Sequence, residues 1–213
     1  MEDPRAIIAR EPMHYRQIIA IGIATALNAL DGFDVLSISF AAPGIAKDWG
    51  IDRAALGLVL SMELFGMGIG AFILGSLADK IGRRPTLLAC LVIMGAGMFL
   101  ASTATSVPVL SVYRLFTGLG IGGMLAATNA VVAECSNARR RNLTVAIMAG
   151  GYPMGAIVGG SIASMLLGAT GHWQSVFEFG AVITLCFIPL VLWLVPETMA
   201  FLLLKRPAGA LEK

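Results

Sequence analysis

Six stretches of the chain run for about 20 residues or more with almost no charge: 17–46, 54–78, 85–104, 107–133, 143–169 and 173–195. They lack the strict two-residue alternation of an outer-membrane barrel strand and the short broken periodicity of a soluble core. Hydrocarbon offers no partner for a backbone N–H or C=O, so each run predicts a helix that closes its own hydrogen bonds while crossing a bilayer. Polar residues collect in short connections between the runs. The tightest, Thr105-Ser106-Val107-Pro108, leaves room only for an antiparallel turn, with Pro108 in the first turn of the fourth helix. The first run is far longer than the apolar core of a secretory signal, about 7 to 15 residues, and is expected to remain in the mature protein. The pattern therefore predicts an all-α integral membrane chain: a segment 1–16, a six-helix transmembrane bundle 17–195, and a segment 196–213.

Composition narrows the function classes. Hydrophobic residues make up 57% of the chain and charged residues 13%, against about 25% charged in a soluble domain; mean hydropathy is +0.84. Soluble enzymes and nucleic-acid binders are excluded. The net charge of +2 points to no anionic partner, but the placement of the charges is informative. Arg5, Arg10 and Arg16 precede the first run; Lys80, Arg83 and Arg84 separate the second from the third; Arg139, Arg140 and Arg141 separate the fourth from the fifth; Lys205, Arg206 and Lys213 follow the sixth. Only Lys47 and Arg53 fall on the other side, so the positive-inside rule predicts both termini in the cytoplasm and a multi-pass plasma (inner) membrane protein.

Tyr15, Trp49, Tyr113, Trp173 and Trp193 sit near the ends of the runs, where amphipathic rings anchor at the headgroup layer. Cys90, Cys135 and Cys186 are odd in number and far apart, which predicts apolar filler and neither a disulfide framework nor a metal site. Glycines recur in the second run (Gly66, Gly68, Gly70, Gly75) and the fifth (Gly151, Gly155, Gly159, Gly160). They predict close helix packing, or faces that slide against a partner during a conformational change.

A charge at membrane depth costs at least about 2.5 kcal/mol on insertion scales, so Asp31, Asp34, Glu63 and Arg114 each ask for a reason. Asp31 and Asp34 are three apart on one helical face; two like charges so close in a low dielectric do not both ionise comfortably, which suits a proton-coupled site. Gly32 and Pro43-Gly44 could bend or unwind the helix, and then the aspartates would only cap a break. Arg114 shares a face with Thr117 and Thr128, a cationic and hydroxylic stripe suited to an anion or a carboxylate, unless it snorkels from the helix end. Glu63 is either a proton site or a structural partner for a neighbouring donor.

Gly75-Ser76-Leu77-Ala78-Asp79-Lys80-Ile81-Gly82-Arg83-Arg84 resembles the loop signature of the major facilitator superfamily, with every characteristic position filled. In this reading Asp79 neutralises a helix N-terminus, Gly82 makes the turn and Arg83 reaches an acid at the end of the fourth helix, Glu134 being the candidate. Gly75, Asp79, Gly82, Arg83, Arg84, Glu134, Arg139 and Arg140 are thus the expected cytoplasmic gate. Arg114-Leu115-Phe116-Thr117-Gly118 is similar to the superfamily's fourth-helix motif, with Thr117 where glutamine is often found. Asp31-Gly32-Phe33-Asp34 resembles the first-helix signature of the aromatic acid:proton symporters, and Pro196-Glu197-Thr198 with Phe201-Leu202-Leu203 the end of the sixth helix in those symporters and in sugar porters.

The resemblance implies the N-terminal half of a twelve-helix fold, built from two inverted three-helix repeats. Helices one and four would line the cavity, two and five would turn glycine-rich faces toward a C-terminal six-helix half, and three and six would lie outermost. It implies proton-coupled uptake of a small organic anion, a benzoate-like aromatic carboxylate, by alternating access. Proline lies early in the fifth helix, at Pro153, and none precedes Gly159-Gly160, which favours symport over antiport. No cofactor, metal or nucleic acid is expected. The alternatives are a sugar or other metabolite transporter of the same superfamily and, more remotely, an intramembrane aspartic enzyme.

Overall fold

A computed structural model describes residues 12–195 and Glu197. The described residues form six helices: α1 (Tyr15–Trp49), α2 (Arg53–Ile81), α3 (Arg83–Ser102), α4 (Val107–Cys135), α5 (Arg141–Thr170) and α6 (Gln174–Leu194). Each is long and apolar enough to cross a membrane. Most run slightly past their apolar stretches because polar residues close the ends. Gly50 ends α1 in a left-handed conformation (φ 62°), and the Asp52 carboxylate accepts the N–H of Ala55 at 3.0 Å to open α2. The expected N-terminal segment before residue 12, Pro196 and residues 198–213 lie outside the described residues.

α1 continues unbroken through Gly32, Pro43 and Gly44. The aspartates therefore cap no break, and that reading is corrected: there is no freed N–H for them to hold.

α1 and α4 are the most enclosed helices, while α2 and α5 are the least buried. α2 packs chiefly on α4 and α1 on α5; α3 leans on α4 and α6 on α1; α3 meets α6, and α1 meets α4. Exchanging α1 with α4, α2 with α5 and α3 with α6 reproduces the same pattern. Three crossings separate equivalent helices and reverse their direction, so the two repeats are inverted.

Glycine sets the two closest seams. Gly66 and Gly70 of α2 lie against the carbonyls of Leu115 and Leu119, and Gly118 and Gly122 of α4 lie reciprocally against those of Glu63 and Met67; a Cβ at any of the four would overlap backbone. Across the other seam, Gly151 and Gly155 of α5 meet the carbonyls of Thr25 and Ala29. These glycines are consumed inside the bundle by close packing. For Gly66, Gly70, Gly151 and Gly155 the expectation of an outward face is corrected; Gly68 is exposed, and α2 and α5 otherwise expose Leu64, Phe65 and Phe72, and Met154, Ile157 and Met165.

One expected anchor is also corrected. Trp173 is buried, donating its indole N–H to Asp48 Oδ2 at 2.9 Å and meeting Trp49 and Phe177 edge to face. Tyr15 and Trp193 are exposed, as an interfacial anchor requires. Cys90 is buried in the core around Met94 and Ile121, where it fills space.

Candidate functional site

Gly118 brings the backbone of α2 at Glu63 against α4, and one turn away Arg114 reaches across the same seam. Its Nη2 donates to Glu63 Oε1 and, at 2.7 Å, to the backbone carbonyl of Asp34. Nη1 points to Met98 Sδ at 3.2 Å, and the guanidinium lies 5.6 Å from the centroid of the Phe177 ring. The Arg114 and Glu63 side chains are 0% and 1% exposed. Arg114 does not snorkel, and Glu63 is its ion-pair partner. The planar fork lets one cation tie α2 to α1 while an aromatic face covers it.

Asp31 and Asp34 present a different picture. Both are buried, and none of their four carboxylate oxygens has a hydrogen-bond partner among the described residues. Arg114 already pairs with Glu63, and its hydrogen bond to Asp34 goes to the main-chain carbonyl, which also accepts from Ser37 Oγ at 2.6 Å. Burying a polar group without a hydrogen-bond partner is costly, so these two acids ask for a role. One ion pair and two unpartnered acids lie buried within the bundle.

Asn28, one turn before Asp31, was not singled out from the sequence. Its Nδ2 donates to the Met148 carbonyl of α5 at 2.7 Å, and its Oδ1 is buried without a partner. A third polar residue at three-residue spacing on α1 was the available signal. The hydroxyl stripe on α4 is corrected. Thr117 Oγ1 donates to the Tyr113 carbonyl at 3.1 Å and Thr128 Oγ1 to that of Met124 at 2.9 Å, so both hydroxyls return to their own helix and offer nothing to an anion.

At the end of the bundle where α2 meets α3, Gly82 makes the turn with φ 110°, a conformation that side chains disfavour. Arg83 then spans Asp79 Oδ1 at 2.6 Å and Glu134 Oε1 at 3.0 Å. Asp79 does not serve a helix N-terminus; that role falls to Glu197, whose Oε1 accepts the backbone N–H groups of Arg83 at 2.8 Å and Arg84 at 3.4 Å. The orphan donors at the start of α3 thus meet an anion carried in from beyond α6. Gly75 allows α2 to approach Ala126 of α4. Arg84 donates to the Leu192 carbonyl near the end of α6. Arg139 and Arg140 are exposed in the α4–α5 turn and join no ion pair among the described residues, where Asn137 instead accepts the Arg140 N–H.

The sequence model of the Major Facilitator Superfamily matches residues 23–212. The chain belongs to that superfamily. It is 36% identical over 204 residues to the 4-hydroxybenzoate transporter PcaK of Acinetobacter baylyi, covering 95% of this chain and 44% of the relative. The gallate transporter of Pseudomonas putida is 35% identical (94% and 44%), and the 3-(3-hydroxy-phenyl)propionate transporter of Escherichia coli 31% identical (92% and 48%). Among solved structures, the proton:xylose symporter XylE with 6-bromo-6-deoxy-D-glucose superposes with a TM-score of 0.78 at 20% identity, over 89% of this chain and 46% of that one. The inward-open xylose transporter XylE from E. coli gives 0.74 at 22% identity, over 86% and 48%. The chain spans about half the length of the curated relatives it matches. It is a multi-pass membrane chain of a transporter superfamily, and the enzyme alternative falls with that membership.

Proposed function

We propose that this chain is the N-terminal half of a proton-coupled symporter that takes up an aromatic carboxylate by alternating access, with a C-terminal six-helix half completing the pathway. The observation that carries the proton is the pair of enclosed, unpartnered acids, Asp31 and Asp34, beside an ion pair that is already balanced. The similarity to 4-hydroxybenzoate, gallate and hydroxyphenylpropionate transporters supports the substrate class. Arg114 serves here as an internal counter-charge that exchanges between Glu63 and a deprotonated Asp34, because in this arrangement it is too enclosed to meet a substrate directly. No cofactor takes part. The test is uptake of radiolabelled 4-hydroxybenzoate against xylose by the complete transporter in liposomes under an imposed pH gradient. Aromatic acid uptake that collapses with the gradient is expected; uptake of the neutral sugar alone would overturn the reading.

The distribution of basic residues supports cytoplasmic termini and an inner-membrane location. In a background lacking Cys90, Cys135 and Cys186, an impermeant thiol reagent should label Ala54→Cys in intact cells and leave Ala138→Cys untouched; both positions are exposed. Labelling at 138 alone would invert the topology.

Asp79, Arg83, Glu134 and Glu197 act as a latch at the cytoplasmic end, holding α2, α3, α4 and the chain beyond α6 together. Arg83→Ala should lower the turnover rate while equilibrium binding of substrate stays within about twofold, since a group remote from the ligand changes transition-state energy without uniform binding. Lost affinity with unchanged turnover would show that the network shapes the substrate site instead.

A further inference from the structure

Where the starts of α1 and α3 meet the end of α6, the structure holds a cavity of about 420 Å³ that the transport reading does not use. Tyr15 and Arg16 from the first turn of α1, Arg84 from the first turn of α3, and Trp193 near the end of α6 line it, with Ile19 and Leu194 supplying apolar wall. Its volume matches roughly a dozen waters at about 30 Å³ each, room for a phosphodiester headgroup.

The charge in this cavity is one-sided. Arg16 spends its Nε on the Tyr15 hydroxyl at 3.1 Å, and Arg84 spends Nη2 on the Leu192 carbonyl. Among the described residues neither arginine forms an ion pair, no carboxylate lines the cavity, and Arg84 Nε is enclosed without an acceptor. Glu197 accepts the backbone N–H groups of Arg83 and Arg84. Trp193 is 86% exposed and Tyr15 57%, the placement of rings at a membrane–water boundary. Two guanidinium groups at headgroup depth, framed by interfacial aromatics above an apolar wall, match one ligand: an anion whose other end is hydrocarbon.

We propose that this cavity binds the phosphate of an anionic phospholipid from the leaflet at this end of the bundle. Arg16 and Arg84 hold the phosphate oxygens, Trp193 and Tyr15 flank the glycerol, and the acyl chains run down the α3–α6 flank over exposed Val92, Phe99 and Val182. The site ties the start of α1 to the start of α3 and the end of α6 through one ligand.

The test is lipid retention by the purified chain, by native mass spectrometry, after equilibration with equal amounts of phosphatidylglycerol and phosphatidylcholine. The Arg16→Gln/Arg84→Gln variant is compared with Lys80→Gln/Arg141→Gln, which removes the same charge from exposed positions at the same end. Bulk attraction falls equally in both, at about fivefold per basic residue, so the cavity variant should lose at least about tenfold more phosphatidylglycerol than the control. Because Arg84 also braces α6, Arg16→Glu, which disturbs only the contact with Tyr15, should give the same selective loss in a chain that melts like the parent. Equal losses in the two double variants, or full retention in Arg16→Glu, would overturn the site.

Discussion

Asparagine at position 31 or 34 is expected to abolish uptake driven by a pH gradient, by about a hundredfold or more, the order expected when a required proton-transfer group is removed. The amide copies the shape of a protonated carboxyl but cannot release its proton. Each variant should therefore retain the fold and should still exchange labelled for unlabelled substrate, a process without net proton movement. The two acids differ in setting. Asp34 shares its residue with the carbonyl that Arg114 holds, whereas Asp31 sits a turn away toward Asn28. Asp34→Asn should also slow exchange, because it removes the carboxylate to which Arg114 is proposed to pass from Glu63, and Asp31→Asn should leave exchange nearer the parent rate. Counterflow and gradient-driven uptake measured side by side separate these outcomes. Full gradient-driven uptake in both variants would make the acids structural and move proton coupling elsewhere in the transporter.

Breaking the Glu63–Arg114 pair from one side should cost about 3–5 kcal/mol, because the remaining charge stays buried with nothing to balance it. Arg114→Ala leaves the Glu63 carboxylate alone beside Gly118 and strips a donor from the Asp34 carbonyl. The double variant Glu63→Gln/Arg114→Met keeps most of the volume and removes both charges, so it should recover the larger part of that loss. Thermal unfolding of the purified protein in one detergent compares the three. A double variant as unstable as Arg114→Ala would show that the guanidinium acts through packing on Phe177 and Met98 and not through charge.

The helices were legible because a membrane-spanning run leaves the backbone no alternative, and the Arg83–Glu134 bridge was legible because the loop resemblance fixed which end of the fourth helix faces the turn. The Glu63–Arg114 partnership was not assigned. Glycines at spacing four mark a close-packing face on α2 and on α4, but nothing in the sequence says which helix each face meets. Trp173 was misplaced for a related reason: a ring at a helix start looks the same in sequence whether it turns to lipid or to Asp48. Glu197 could not be recognised as the cap of α3, since its partner at Arg83 lies 114 residues away and capping is readable only when local.

The reciprocal glycine seams have a mechanical consequence. A carbonyl seated on a glycine hydrogen finds its next seat one helical turn away, about 5.4 Å along the axis. Anywhere between, it rides over Cβ atoms: Ala29 leaving Gly155 must pass Met154 or Ala156. The pairs α1–α5 and α2–α4 are therefore indexed joints with discrete positions and no glide between them. A bundle jointed in this way transmits displacement as a solid body, and the deformation passes to its turns, where Gly50 and Gly82 already hold the backbone at positive φ.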